Sequence, residues 1–105
     1  MRGVLDELLS REEETALVEN ARKGQMSART RILRRGLQLT AAMADHYVEK
    51  GVVREDLVSE GMKRFFYCLE KFDPCEGTSF FRYVAWWMKY GMSNLVKHKE
   101  AYCCN

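Results

Sequence analysis

Apolar residues recur at spacings of three and four along most of the chain, and the breaks in that rhythm divide it into four helices. Ser10 followed by Glu13 fits a capping box, in which each side chain satisfies the other residue's backbone amide. It predicts a helix from Arg11 to Lys23, with Ala16, Leu17, Val18 and Ala21 as a narrow apolar stripe and Gly24 placed to end it. Leu5, Leu8 and Leu9 predict a separate short helix before it. From Met26 to Lys50 the apolar positions are Ile32, Leu33, Leu37, Leu39, Ala42, Met43 and Tyr47, with Gly36 the one breaker before Gly51. A second, long helix is expected there.

A third helix spans Arg54 to Lys71, with Leu57, Met62, Phe65, Phe66 and Leu69 on one broad face and Glu55, Asp56, Ser59, Glu60 and Lys63 on the other. The segment 72–77 contains Pro74, which lacks an amide proton and pushes the preceding residue out of the helical region, so a turn follows. Thr78 or Ser79 then caps a fourth helix running to about His98. No strand-like alternation and no internal repeat occurs. The expected fold is all-α, a compact bundle of about four main helices. Residues 1–105 form one domain, with 1–10 a short N-terminal segment and 100–105 a flexible tail.

Composition narrows the class. Apolar residues make up 47% and charged ones 30% of the 105 residues, with a single proline, the balance of a folded domain with little loop. No apolar run reaches the ~20 residues that cross a bilayer, and Asp6 and Glu7 lie where a signal peptide needs apolar residues. A cytoplasmic protein with no membrane partner is expected. Cys68, Cys75, Cys103 and Cys104 lack the paired spacing of a zinc site and read as free thiols. No nucleophile–base pair, phosphate loop or carboxylate dyad stands out, and His46 beside Asp45 reads as a surface histidine, so neither an enzyme nor a cofactor is expected.

Charge alternates along the chain. Four basic against six acidic residues in 1–24 become five against two in 25–50, then four against six in 51–77 and four against one in 78–105. A net charge of +2 thus conceals basic segments suited to phosphate and acidic segments suited to a basic protein; ordinary solvated helix faces give the same pattern. Arg29, Arg31, Arg34 and Arg35 crowd the first half of the second helix.

The fourth helix holds Phe80, Phe81, Tyr83, Trp86, Trp87 and Tyr90 within eleven residues, beside Arg82, Lys89 and Lys97. Successive residues turn by about 100°, so Phe80 and Phe81, like Trp86 and Trp87, diverge, and one core stripe does not accommodate them all. Rings interleaved with cations form a platform on which unpaired bases stack and phosphates are neutralised. A thick aromatic core with solvated lysines is the competing reading.

The run Glu55-Asp56-Leu57-Val58-Ser59-Glu60-Gly61, then Leu69-Glu70-Lys71-Phe72-Asp73-Pro74, then Gly77 and Phe80-Phe81-Arg82-Tyr83-Val84-Ala85-Trp86-Trp87-Met88-Lys89, resembles the second domain of primary-type bacterial RNA polymerase sigma factors. The resemblance extends without gaps to about Ala28 and more weakly to Glu12. It implies a domain that binds core RNA polymerase and holds melted minus-ten promoter DNA on the single-stranded non-template strand. Phe72, Tyr83 and Trp86 match the pocket for a flipped adenine, with Trp86 and Trp87 as the wedge at the duplex edge. Such a pocket stabilises only the extruded base, so it opens DNA through binding energy. Phe80 and Arg82 belong to the same expected DNA surface. Lys89, Tyr90 and Ser93 match positions that touch the duplex just upstream. Asp56, Ser59, Glu60, Met62 and Lys63 match the surface pressed against the coiled coil of the largest polymerase subunit.

The chain also departs from that pattern. Tyr90 and Ser93 stand where Gln and Thr are common, and a phenol does not reproduce a bidentate amide contact. Ser59 replaces a Gln, Glu76 a basic residue, and Gly36 and Gln38 replace Asn and Arg; Thr78 and Phe81 replace an aromatic residue and a small hydroxyl. A helix-turn-helix domain for the minus-35 element and the linker domain before it do not follow the fourth helix. A fragment, or a short protein relying on a second protein for minus-35 recognition, is expected, and an anti-sigma factor is a further partner class. The alternative to a promoter-opening factor is a sigma-mimicking regulator that occupies polymerase without opening promoters by itself.

Overall fold

The structure is a computed structural model that describes residues 10–74 and 77–103, the last five of them by backbone alone. The expected helix at Leu5 to Leu9 and the residues Cys75 and Glu76 lie outside the described part. Four helices follow in order, α1 (Arg11–Arg22), α2 (Met26–Val48), α3 (Arg54–Lys71) and α4 (Phe80–Cys103), and no strand occurs among the described residues. The boundaries agree with the apolar rhythm to within two residues, except that α4 continues five residues past His98.

α1 begins as expected. Ser10 Oγ accepts from the Glu13 amide at 3.1 Å while the Ser10 amide donates to Glu13 Oε1 at 2.9 Å, closing the capping box. Gly24 (φ 90°) and Gly51 (φ 93°) carry the chain out of α1 and α2 through the left-handed region that glycine enters without a Cβ penalty.

The buried side of α2 is not the large apolar stripe that its sequence suggests. Ala28, Ile32, Gly36, Thr40, Ala44 and Tyr47 face inward, whereas Leu37 and Ala42 are exposed. Small residues spaced by four let α3 and α4 approach the α2 backbone closely. Gly36 shows why: a Cβ there would lie 2.6–2.9 Å from three atoms of the Phe65 ring. Gly61 of α3 plays the reciprocal part, since its Cβ would meet Thr40 Cγ2 at 2.7 Å and Met92 Cε at 2.8 Å. Thr40 is fully buried, and its hydroxyl donates to the Gly36 carbonyl at 2.7 Å, so this polar group is satisfied without leaving its own helix.

α3 turns Leu57, Gly61, Phe65 and Cys68 inward, and Phe66, assigned by sequence to the apolar face, is exposed. α4 contributes Phe80, Val84, Met88, Met92 and Val96, one residue every four positions, as the ridge that packs into the other helices. The core has two joined parts. One gathers Leu17, Val18 and Ala21 of α1 with Ile32, Phe65, Phe72, Phe80 and Val84; the other gathers Ala44, Tyr47, Val52, Leu57, Met92 and Val96.

α1 also fixes the connection between α3 and α4. Its buried Glu14 accepts from the Phe80 amide at 2.6 Å, and two turns later Arg22 donates to the carbonyls of Leu69 (2.5 Å) and Phe72 (2.6 Å). An acid at the amino end of α4 and a base at the carboxyl end of α3 each oppose the local helix dipole. Both ends of the turn are thereby clamped, and with them the start of the aromatic helix.

Candidate nucleic-acid and polymerase interface

The six rings of α4 divide by their angle around the helix. Phe80 is fully buried, Phe81, Tyr83 and Trp87 are half-buried, and Trp86 and Tyr90 are 64% and 52% exposed. Phe80 and Phe72, expected to contact DNA, lie in the core at 0% and 3% exposure. Their centroids lie 5.3 Å apart and Phe72 lies 5.4 Å from Tyr83, so they stand behind Tyr83 as its support. The cause is the ridge every four residues, which assigns Phe80 to the stripe of Val84 and Met88.

Trp87 is the hub of the surface cluster. Its ring meets Tyr67 at 5.6 Å, Trp86 at 5.5 Å, Tyr90 at 6.0 Å and Tyr83 at 6.4 Å, every pair tilted by 61° or more. Such edge-to-face contacts suit the ring quadrupole and hold the planes divergent. The indole Nε1 of Trp87 is buried without a hydrogen-bond partner among the described residues. Arg82 and Lys89 are exposed beside the rings, and the Arg82 amide is capped by Ser79 Oγ at 3.2 Å. Ser93 is half-buried and its hydroxyl lies 3.0 Å from Tyr47 Oη, an internal bond between α2 and α4.

Two members of the cluster escaped the sequence reading. Tyr67 and Arg64 both come from α3, and only the packing of α3 on α4 brings them to Trp87. The Arg64 guanidinium carbon lies 5.7 Å from the Trp87 centroid and 5.5 Å from that of Tyr90. Their signal in the sequence is faint: each sits on the flank of α3 next to its core residues, one position away from Phe65 or Cys68.

The residues expected to meet polymerase split as well. Asp56, Ser59 and Lys63 are exposed on the outer side of α3. Met62 is half-buried with its sulfur 3.3 Å from the Thr40 hydroxyl. Glu60 has a side chain only 13% exposed, with Oε1 3.2 Å from Lys63 Nζ and Oε2 2.8 Å from Arg64 Nε. Burial pushes its carboxyl up, but the hydrogen bonds from Arg64 and Lys63 outweigh that and hold it below the ordinary value. Glu60 is thus a largely withdrawn, internally paired group.

An open cleft of about 230 Å³ lies between α2 and α4, lined by Arg35, Gln38, Leu39, Ala42 and Phe81, with the Arg35 guanidinium 5.0 Å from the Phe81 centroid. Among the described residues no helix is long and apolar enough to cross a membrane, and no group of three or more His, Cys, Asp or Glu is placed to hold a metal ion.

Comparison with known proteins places the chain in a family. The family described as Sigma-70 region 2 matches residues 32–101. RNA polymerase sigma factor RpoS of Coxiella burnetii is 32% identical over 93 residues, which cover 89% of this chain and 26% of that protein. RNA polymerase sigma factor SigA of Clostridium acetobutylicum is 34% identical over 89 residues, 85% of this chain and 24% of the relative, and SigA of Listeria monocytogenes is 31% identical over 90 residues, 86% and 24%. The chain spans about a quarter of the length of these relatives. With the match running from Ile32, near the start of α2, through most of α4 and the four-helix architecture underneath it, the chain belongs to the Sigma-70 region 2 family.

Proposed function

We propose that this chain is a sigma-like transcription initiation module that docks on core RNA polymerase through the outer side of α3 and captures the non-template strand of the minus-ten element on α4. The observation that carries the reading is the cluster around Trp87. Trp86 and Tyr90 are exposed, Tyr83 stands half-buried against both Trp87 and the core ring of Phe72, and Arg82, Lys89 and Arg64 supply positive charge beside these rings. A base stacked on such a ring contributes ~1–3 kcal/mol, enough for two or three rings to offset the cost of unstacking a promoter base.

The test is binding of a single-stranded minus-ten oligonucleotide by the protein with core polymerase present. Trp86→Ala and Tyr83→Ala are expected to weaken it roughly 5- to 150-fold per stacked base lost, with little change on a scrambled duplex. Equal loss on both ligands means charge attraction alone and overturns strand capture. For docking, Asp56→Lys combined with Lys63→Glu is expected to reduce retention on immobilised core polymerase; unchanged retention overturns that assignment.

A second reading, a regulator that occupies polymerase without opening promoters, is favoured by one observation. Ser93, at a position expected to touch duplex DNA, spends its hydroxyl on Tyr47. Transcription in vitro separates the two, since initiation supports the first and inhibition of a resident sigma factor the second.

A further inference from the structure

Glu60 and Arg64 lie one turn apart on α3, on the flank facing α4, and both are largely withdrawn from solvent, with side chains 13% and 25% exposed. Arg64 Nε donates to Glu60 Oε2 at 2.8 Å while the guanidinium lies over the rings of both Trp87 and Tyr90. Gly91 of α4 makes room for the pair. A Cβ at that position would lie 2.6 Å from Glu60 Oε2 and 2.9 Å from Arg64 Nε. A carboxylate that fixes a guanidinium, a guanidinium that covers two rings and a glycine that admits both form one continuous arrangement across the α3–α4 seam.

We propose that Glu60 and Arg64 are a positioning pair for the Trp87 and Tyr90 rings, through which α3 governs strand capture on α4 without itself touching the bases. The inference rests on the strand-capture reading above. A free arginine side chain samples many rotamers, whereas a planar guanidinium anchored through Nε has a fixed orientation. Lying over one face of each ring, it leaves only the opposite face for a base and so defines the side on which stacking occurs. It also places a positive charge beneath rings that receive a strand carrying one phosphate per nucleotide.

The experiment compares Arg64→Met, Glu60→Ala, the double variant and Gly91→Ala for binding of a single-stranded minus-ten oligonucleotide in the presence of core polymerase. The indole N–H resonances of Trp86 and Trp87 are recorded for the free proteins. Arg64→Met keeps the length of the side chain without its charge and is expected to weaken binding ~3- to 30-fold. Glu60→Ala weakens it in the same direction and adds nothing once Arg64 is Met, because both act through one contact. Gly91→Ala, which removes no charge and favours the helix, displaces the pair and weakens binding too. The Trp87 indole resonance moves in each variant more than that of Trp86. Full binding by Arg64→Met overturns the proposal, as does a Glu60→Ala loss that persists undiminished in the Arg64→Met background, which would place Glu60 on a partner. If the wild-type protein itself fails to bind the strand, the strand-capture reading falls, and with it the proposed effect on capture. The indole resonances still decide whether the pair holds the rings, and an unmoved Trp87 signal overturns that as well.

Discussion

Replacing Gly36 with Ala tests whether the close approach of α2 and α3 is set by the Phe65 ring. The new methyl carbon would stand 2.6, 2.7 and 2.9 Å from Cε1, Cδ1 and Cζ of that ring, against ordinary contacts of 3.4–4 Å, so ring or helix must retreat by most of an ångström. The Phe65 ring is flanked by other rings. It is fully buried, with Phe66 at 5.4 Å and Phe80 at 6.1 Å, and Phe80 is itself held against Phe72 and Phe81. Overpacking of this kind costs ~1–3 kcal/mol. Removing a glycine from a helix interior returns ~1 kcal/mol. The clash wins, for a net loss of about 1 kcal/mol and a fall in Tm of roughly 4–8 °C. Thermal unfolding followed by circular dichroism reads this directly. The decisive control is the same substitution in a Phe65→Leu background, where the ring is gone and only the helix gain remains, so that Gly36→Ala should raise the Tm. A Gly36→Ala protein as stable as the wild type with Phe65 in place would refute the reasoning.

Three further outcomes follow from single contacts. Glu14→Ala strands the buried Phe80 amide and should cost ~1–3 kcal/mol in urea unfolding, with Glu14→Gln recovering part of it because an amide oxygen still accepts; an unchanged midpoint for the alanine variant would dismiss the clamp. Cys68, whose thiol is pushed up to about 12 by burial, should stay unmodified by iodoacetamide in the folded protein and react once urea exposes it, as read by peptide mass mapping. The Glu60 carboxyl, held low by Arg64 and Lys63, binds its proton less readily folded than unfolded. Its stabilising contribution is present above the ordinary carboxylate value of 4.5 and disappears as pH falls through the lower folded value, so the stability gap between wild type and Glu60→Gln should close in that acid window.

The two surfaces respond differently to damage. Trp86, Lys89 and Asp56 project from the bundle and can be replaced with little effect on packing, which makes them clean probes of binding. Phe72, Phe80 and Thr40 cannot, since each is enclosed on all sides, and loss of function at these positions reports on the fold before it reports on DNA.

By itself the sequence determined the helices, their order and the family. A four-residue capping box, glycines after α1 and α2, Pro74 before α4 and an apolar period near 3.6 are local signals, and local signals survive without knowledge of what packs where. The density of rings between Phe80 and Tyr90 likewise indicated that some of them lie outside the core, because one helix cannot bury six rings on a single stripe. What the tertiary structure alone decided is which ring does what. Phe80 is core and Trp86 is surface because the ridge every four residues fixes the rotation of α4 against α3, a quantity set by shape on both helices. The same packing turned Gly36 from an apparent breaker into the seat of Phe65, buried the polar Thr40, and placed Arg64 against Trp87 and Tyr90 from another helix. Contacts between residues more than twenty positions apart depend on how two surfaces fit, and no periodicity within either helix encodes that fit.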